Sequence, residues 1–185
     1  MLIKRAFPIL AALLLAACAT GPRIEIMQAP DTDLSDYKTF AFVEPLGTDR
    51  AGYATLISQQ LIFSIRRELE FHGLEYEDDP AQADLLVNAY THLNERIRTR
   101  QVADPFVGPS YWDYRRGFYT PWPDYSVRTE LQQYSEGTLT IDLIDAANQV
   151  MVWEGTARNE ITEKTRRDAA RAIDEAVARI FKEFP

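Results

Sequence analysis

The sequence predicts an α+β domain, a two-layer sandwich in which a mostly antiparallel sheet carries two amphipathic helices on one face. Three observations predict it. Residues 51–72 and 165–184 repeat apolar side chains at helical spacing. Residues 138–145 and 150–157 alternate apolar and polar side chains around the turn-forming Ala146-Ala147-Asn148-Gln149, which reads as a hairpin. The strand segments also carry one apolar and one polar side, as an antiparallel sheet with one face in water does.

In order along the chain, Ile24 and Ile26 alternate with Arg23 and Glu25 and fit an early edge strand. They fall within residues 18–29, which read as a short tether, with the domain at 30–185. Tyr37-Lys38-Thr39-Phe40-Ala41-Phe42-Val43 is rich in aromatic and β-branched residues, closes at Pro45 and Gly47, and is expected as a strand. Helix 51–72 has Ile57, Leu61, Ile65 and Leu69 on one stripe, widened by Leu56, Ile62 and Phe63, with Gly73 as its C-terminal cap. The acids Glu75, Glu77, Asp78 and Asp79 lack the alternating ligands and central glycine of a calcium loop and read as a solvated turn.

Residues 85–99 form a long strand pattern. Leu85, Val87, Ala89, Leu93 and Ile97 share one side, and Asn88, Tyr90, His92, Asn94, Arg96 and Arg98 the other. Tyr90, His92 and Arg96 present a candidate face for an anionic ligand; an exposed polar sheet face explains them equally. Residues 127–134 are a weaker strand. In the hairpin, Trp153 is expected to anchor the core and Gly155 to mark a bulge or close packing. Thr165 is placed as the cap of the last helix, whose stripe is Ile173, Ala176, Val177, Ile180, Phe181 and Phe184.

Upstream of all this, Lys4 and Arg5 precede an apolar run that ends in Leu15-Ala16-Ala17-Cys18. A charged start, a short apolar core and small residues before a cut are features of a secretory signal, and the run is too short to span a bilayer. Leu-Ala-Ala-Cys resembles the bacterial lipobox. That resemblance implies removal of residues 1–17 and lipidation of Cys18 as the first mature residue; the alternative is an ordinary signal with an incidental cysteine. Ala19, where an Asp would imply retention at the inner membrane, points to the periplasmic side of the outer membrane.

Composition narrows the function classes. Cys18 is the only cysteine, so no internal disulfide forms and no thiol is left for catalysis or metal binding. The formal net charge is −8, and loss of Lys4 and Arg5 makes the mature chain two charges more negative. Such a surface repels nucleic acid and gives no broad electrostatic adhesion to anionic lipid, so membrane contact is expected through acyl chains. His72, at a helix end, and His92 are the two histidines. There is no His-Glu-x-x-His, Gly-x-Ser-x-Gly or phosphate-cradling glycine loop, so no catalytic residue, metal or cofactor is assigned. Asp142 and Asp145 read as a polar strand position and a turn former rather than a catalytic pair.

Residues 101–126 break the periodic pattern. They hold Pro105, Pro109, Pro121 and Pro123 among many aromatics and read as a loop without its own strands. Tyr111, Trp112, Tyr114, Phe118, Tyr119 and Trp122 are the candidate contact residues for an envelope protein or glycan, since Tyr and Trp combine large contact area with a polar tip. The competing reading folds this loop over the open sheet face as a small second core.

Together, the lipobox, the Tyr-Lys-Thr-Phe-Ala-Phe strand, Ala83-Asp84-Leu85-Leu86-Val87-Asn88-Ala89-Tyr90, the aromatic loop, Thr138-Leu139-Thr140-Ile141-Asp142-Leu143-Ile144-Asp145 and Val152-Trp153-Glu154-Gly155-Thr156-Ala157 resemble the bacterial lipoproteins of domain-of-unknown-function family 4136. The resemblance implies an address and a fold class, and no activity. A non-enzymatic binding or assembly module of the cell envelope is the resulting expectation. An envelope hydrolase acting on glycan or lipid through an acidic residue is the alternative, and a purely structural lipoprotein is a third reading.

Overall fold

The computed structural model describes residues 21–50, 52–103, 110–113, 115–121 and 127–185. Within these the chain divides into two units, Glu95–Ser135 and the remainder. The larger unit holds an α+β sandwich. The six-stranded sheet, of which β4 and β7 run on into the smaller unit, is made of β1 (Arg23–Gln28), β2 (Thr39–Phe42), β3 (Glu75–Tyr76), β4 (Leu85–Ala103), β7 (Val127–Asp145) and β8 (Val150–Glu160), in the order β1-β8-β7-β4-β2-β3. The long pairings of β8 with β1 and with β7 are antiparallel. The sheet is mixed, because β2 pairs in parallel with both β3 and β4. Parallel neighbours need a crossover, and helix α1 (Leu56–Phe71) supplies it between β2 and β3.

Helix α1 starts five residues later than the periodicity indicates. The Thr55 hydroxyl accepts from the Ser58 amide at 3.0 Å and caps the first turn. Its far end closes as a Schellman motif: Leu74 N–H donates to Leu69 C=O and Gly73 N–H to Glu70 C=O, with Gly73 at φ +92°. Leu61, Ile65 and Leu69 are fully buried, whereas Leu56 and Phe63, expected on the same face, are 82% and 61% exposed. The inward stripe is narrower because Ser58 and Ser64 occupy its flank. There Ser64 Oγ and Gln60 Nε2 both donate to Asp174 Oδ1.

The last helical segment is broken in two, α2 (Glu163–Arg167) and α3 (Ala169–Phe181), at Asp168. Thr162, not Thr165, is the cap. The Thr162 side chain accepts from Thr165 N–H, and the Thr165 side chain accepts from Thr162 N–H. Val177, Ile180, Phe181 and Phe184 are buried as their spacing predicts.

Trp153 is 1% exposed and forms the centre of this core. Its ring stacks on Phe181 at 5.7 Å and meets Phe184 edge-on at 5.4 Å. Gly155 makes that contact sterically feasible. A Cβ at this position would stand 2.3 Å from Ile180 Cγ2 and 2.5 Å from Trp153 Cη2, so the glycine marks close packing. The bulge lies nearby instead, where the β7–β8 register shifts between Leu143 and Ile144.

β1 is the early edge strand that Ile24 and Ile26 indicate, pairing Ile24 with Ala157 and Ile26 with Gly155. Two corrections concern the other strands. β7 is one continuous strand, where two were expected. The apolar side predicted for β4 packs only as far as Ala89; Leu93 and Ile97 are 58% and 69% exposed.

The smaller unit comprises the outer parts of β4 and β7 and a two-stranded sheet, β5 (Ser110–Asp113) with β6 (Phe118–Pro121). Within it, Ser135 Oγ donates to Glu95 Oε1 at 2.9 Å, and the Arg98 guanidinium lies 4.5 Å from the Tyr134 ring centre.

Replacing Gly155 with Ala is expected to destabilise the protein by about 1–3 kcal/mol through overpacking. The check is a urea unfolding curve with a lowered midpoint and an unchanged slope.

Candidate functional site

The segment 101–126, read as patternless, contains the β5–β6 hairpin. Strand pairing here sets Ser110 opposite Pro121, Tyr111 opposite Thr120, Trp112 opposite Tyr119 and Asp113 opposite Phe118. Gly117 at φ +67° supplies the left-handed residue that so tight a reversal uses. The sequence hid this hairpin because Pro121 and Gly117 read as breakers, whereas each sits at a hairpin position that tolerates it.

Alternate strand positions face opposite sides, so Trp112 and Phe118, in adjacent pairs, lie on opposite faces of the hairpin. Trp112 is 42% and Phe118 52% exposed. The predicted contact set is therefore not one continuous face. Tyr111 and Tyr119 are fixed only in register, and Tyr114 and Trp122 lie outside the described residues.

The candidate ligand trio is divided between the units: Tyr90 and His92 belong to the larger and Arg96 to the smaller. His92 Nε2 hydrogen-bonds Asn94 Oδ1 at 3.1 Å, and Tyr90 is exposed.

Asp142 departs from its reading as a solvated polar position. It lies on the sheet side opposite Ile141 and Leu143, yet it is 5% exposed, beside the equally buried Thr140 and Thr156. Asn88 Nδ2 donates to its Oδ2 at a long 3.4 Å, and Oδ1 has no hydrogen-bond partner among the described residues. Burial pushes the Asp142 carboxyl above the ordinary aspartate range; Asn88 pulls it down, and Glu154, opposite it in the strand register, adds to the rise. Asp145 behaves as the expected turn former, accepting from Asn148 N–H at 2.8 Å and from the Tyr37 hydroxyl at 3.0 Å. Those bonds, Asn148 first, hold its carboxyl low.

Asp84, which the sequence reading gave no role, joins two strand starts. Its carboxylate accepts from Lys38 N–H at 2.8 Å and Thr39 N–H at 3.0 Å, and the Thr39 hydroxyl accepts from Asp84 N–H. These backbone bonds hold its carboxyl below the usual range. An Ala-Asp pair before an apolar run was the available signal.

The larger unit also contains an apolar groove of about 760 Å3. It opens where α3 presents Ala169, Ala172 and Ala176 to Gly137 and Ala157 of the sheet, so small side chains meet small ones and leave a gap. Pro22, Ile57, Leu93 and Ile161 border it. A more polar groove of about 570 Å3 lies between residues 28–38 and the chain end at Phe184 and Pro185. Asp142 lines neither. Among the described residues, no three His, Cys, Asp or Glu side chains come together as a metal site. No described helix is long and apolar enough to cross a membrane.

An α+β sandwich with a helix-covered sheet, a second strand unit and an aromatic hairpin defines the class of protein. The chain belongs to the family of domain of unknown function 4136, whose model matches residues 25–185. It is similar to a solved family member from Bacteroides thetaiotaomicron, with 13% identity, TM-score 0.53 and coverage of 89% of this chain and 96% of that one. It is also similar to a PDZ domain protein from Parabacteroides distasonis, with 15% identity and TM-score 0.55 over 95% of this chain; the match spans only 39% of that longer protein. At these identities the likeness is one of fold. No curated protein matches the chain.

The buried carboxyl gives a pH prediction. Above the ordinary aspartate range the unfolded chain is ionised while folded Asp142 still holds its proton, so stability falls as pH rises through the raised value and stays lower beyond it. Asp142→Asn removes this loss. The variant is expected to gain on the order of 1 kcal/mol at pH 7. The gain should vanish at a pH low enough to protonate Asp142 in both states, as read from urea midpoints across pH.

Proposed function

We propose that this chain is a bacterial cell-envelope lipoprotein, held by lipidated Cys18 on the periplasmic side of the outer membrane. On this reading it is a non-enzymatic binding or assembly module, and its contact surface is the aromatic hairpin. One observation carries the contact surface: Trp112 and Phe118 are each about half exposed on opposite faces of the hairpin β5–β6. Large aromatics held on a backbone ladder lose little conformational freedom when a partner covers them, which favours their use in recognition. Two faces also allow insertion between partner surfaces, where a single face would only dock against one. An envelope protein or a glycan ring fits such rings; the acidic chain disfavours nucleic acid.

The hydrolase alternative calls for a raised carboxyl in a cleft. Asp142 is the one carboxyl pushed upward among the described residues, and it is buried within the sheet rather than lining a groove. The address rests on the lipobox resemblance alone, and the family match adds no activity.

A photo-reactive residue in place of Trp112, crosslinked in intact envelopes, should give a discrete product that the same residue at Glu175 does not. Equal products at both sites, or none at Trp112, would sink the hairpin as the contact surface. Cys18→Ser is expected to move the protein from the membrane to the soluble fraction; retention of the variant in the membrane would reject the anchor.

A further inference from the structure

The groove beside Pro22 lies close in sequence to the expected anchor. Pro22 borders it and is four residues after Cys18. Four residues span at most about 14 Å when fully extended. If Cys18 carries acyl chains embedded in a bilayer, this end of the larger unit is held at the lipid surface by the tether alone. The same end is unusually apolar for exposed protein. Leu56, Ile57 and Leu93 are 82%, 43% and 58% exposed, and Ile57 and Leu93 border the groove itself.

We propose that this end of the unit is a membrane-docking surface, with the groove mouth and Leu56, Ile57 and Leu93 resting among the acyl chains of the bilayer that holds Cys18. The proposal rests on the lipidation reading above and adds an orientation and a contact to it. The tether length selects lipid as the occupant, because the bilayer is the one surface it holds within reach of the groove. Charge is compatible. Lys164, Arg166 and Arg171 at the border are matched by Glu160, Asp168 and Glu175, so the local surface carries no formal net charge although the chain is strongly acidic. Apolar contact supplies the attraction, in proportion to the area removed from water. The turn at residues 146–149 follows the end of β7, about 26 Å along the strand from Gly137 at 3.3 Å per residue, and points away from the membrane.

Because Cys18 is the only cysteine, an introduced thiol is unique once Cys18 is acylated. Acylated protein carrying Ile57→Cys, Lys164→Cys or Asn148→Cys would be labelled with an environment-sensitive fluorophore. Each would then be placed in phosphatidylethanolamine and phosphatidylglycerol vesicles containing a lipid-borne quencher. The expected result is quenching several-fold stronger at residues 57 and 164 than at 148. Adding Leu56→Glu and Leu93→Glu to the Lys164→Cys protein should reduce its quenching several-fold while its circular dichroism stays unchanged. Equal quenching at the three sites overturns the docking surface, as does quenching that the glutamates leave untouched, which the tether alone produces. Shielding of residues 57 and 164 with a doubled mass and no quenching assigns the surface to a second copy and also overturns it. The mass of the mature N-terminal peptide separates the two readings. An unmodified Cys18 removes both, whereas an acylated Cys18 without differential quenching removes the docking surface only.

Discussion

The packing of Trp153 and Ile180 into the space that a side chain at Gly155 would occupy is the constraint on which the larger unit depends. A helix lies close to a sheet only where the sheet offers a smooth place for it. Gly155 provides that place, and the indole beside it fills the space that a Cβ would have divided. Burial of Trp153 and Phe181 contributes several kcal/mol, at about 1.5–3 for each large apolar side chain. The antiparallel pairings of β8 with β1 and β7 then distribute this fixed point over the sheet. Because Ile26 pairs with Gly155, the edge strand β1 is registered against the same residue.

The two ends of α3 differ in a way that follows from side-chain size. Val177, Ile180 and Phe181 fill the space above the sheet. One to two turns earlier Ala169, Ala172 and Ala176 line the groove beside Ile173, and the sheet below includes Gly137 and Ala157. Large residues close one end and small ones leave the other open, so the groove is a consequence of the order of residues along a single helix. The break at Asp168 sets where that helix begins and detaches the preceding turn from it.

The polar side of the sheet is less open to water than its composition implies. Thr140, Asp142 and Thr156 alternate with core residues as polar positions should, and each is nevertheless 5% exposed. Across β7 and β8 Thr140 pairs with Thr156 and Asp142 with Glu154, and Asn88 donates to Asp142 from β4. The raised Asp142 carboxyl follows from its burial. In the smaller unit Ile97, Leu131 and Phe118 are more than half exposed. Recognition draws on exposed side chains of this kind, whereas Trp153 and its neighbours serve stability.

Periodicity and spacing in the sequence determined the α+β class, both principal helices, the β7–β8 hairpin with Trp153 in the core, and the helix stop at Gly73. These are local properties: a 3.6-residue or two-residue repeat, or a glycine where φ must be positive, is written within a few residues of where it acts. The family resemblance likewise rested on such local stretches. Only the tertiary structure decided the parallel pairing of β2, the exposure of Leu56 and Leu93, the burial of Asp142, the hairpin within residues 101–126 and the division of Tyr90 and His92 from Arg96. Each of these depends on which distant segment lies alongside, and an alternating pattern marks two faces of a strand without saying what will cover either one.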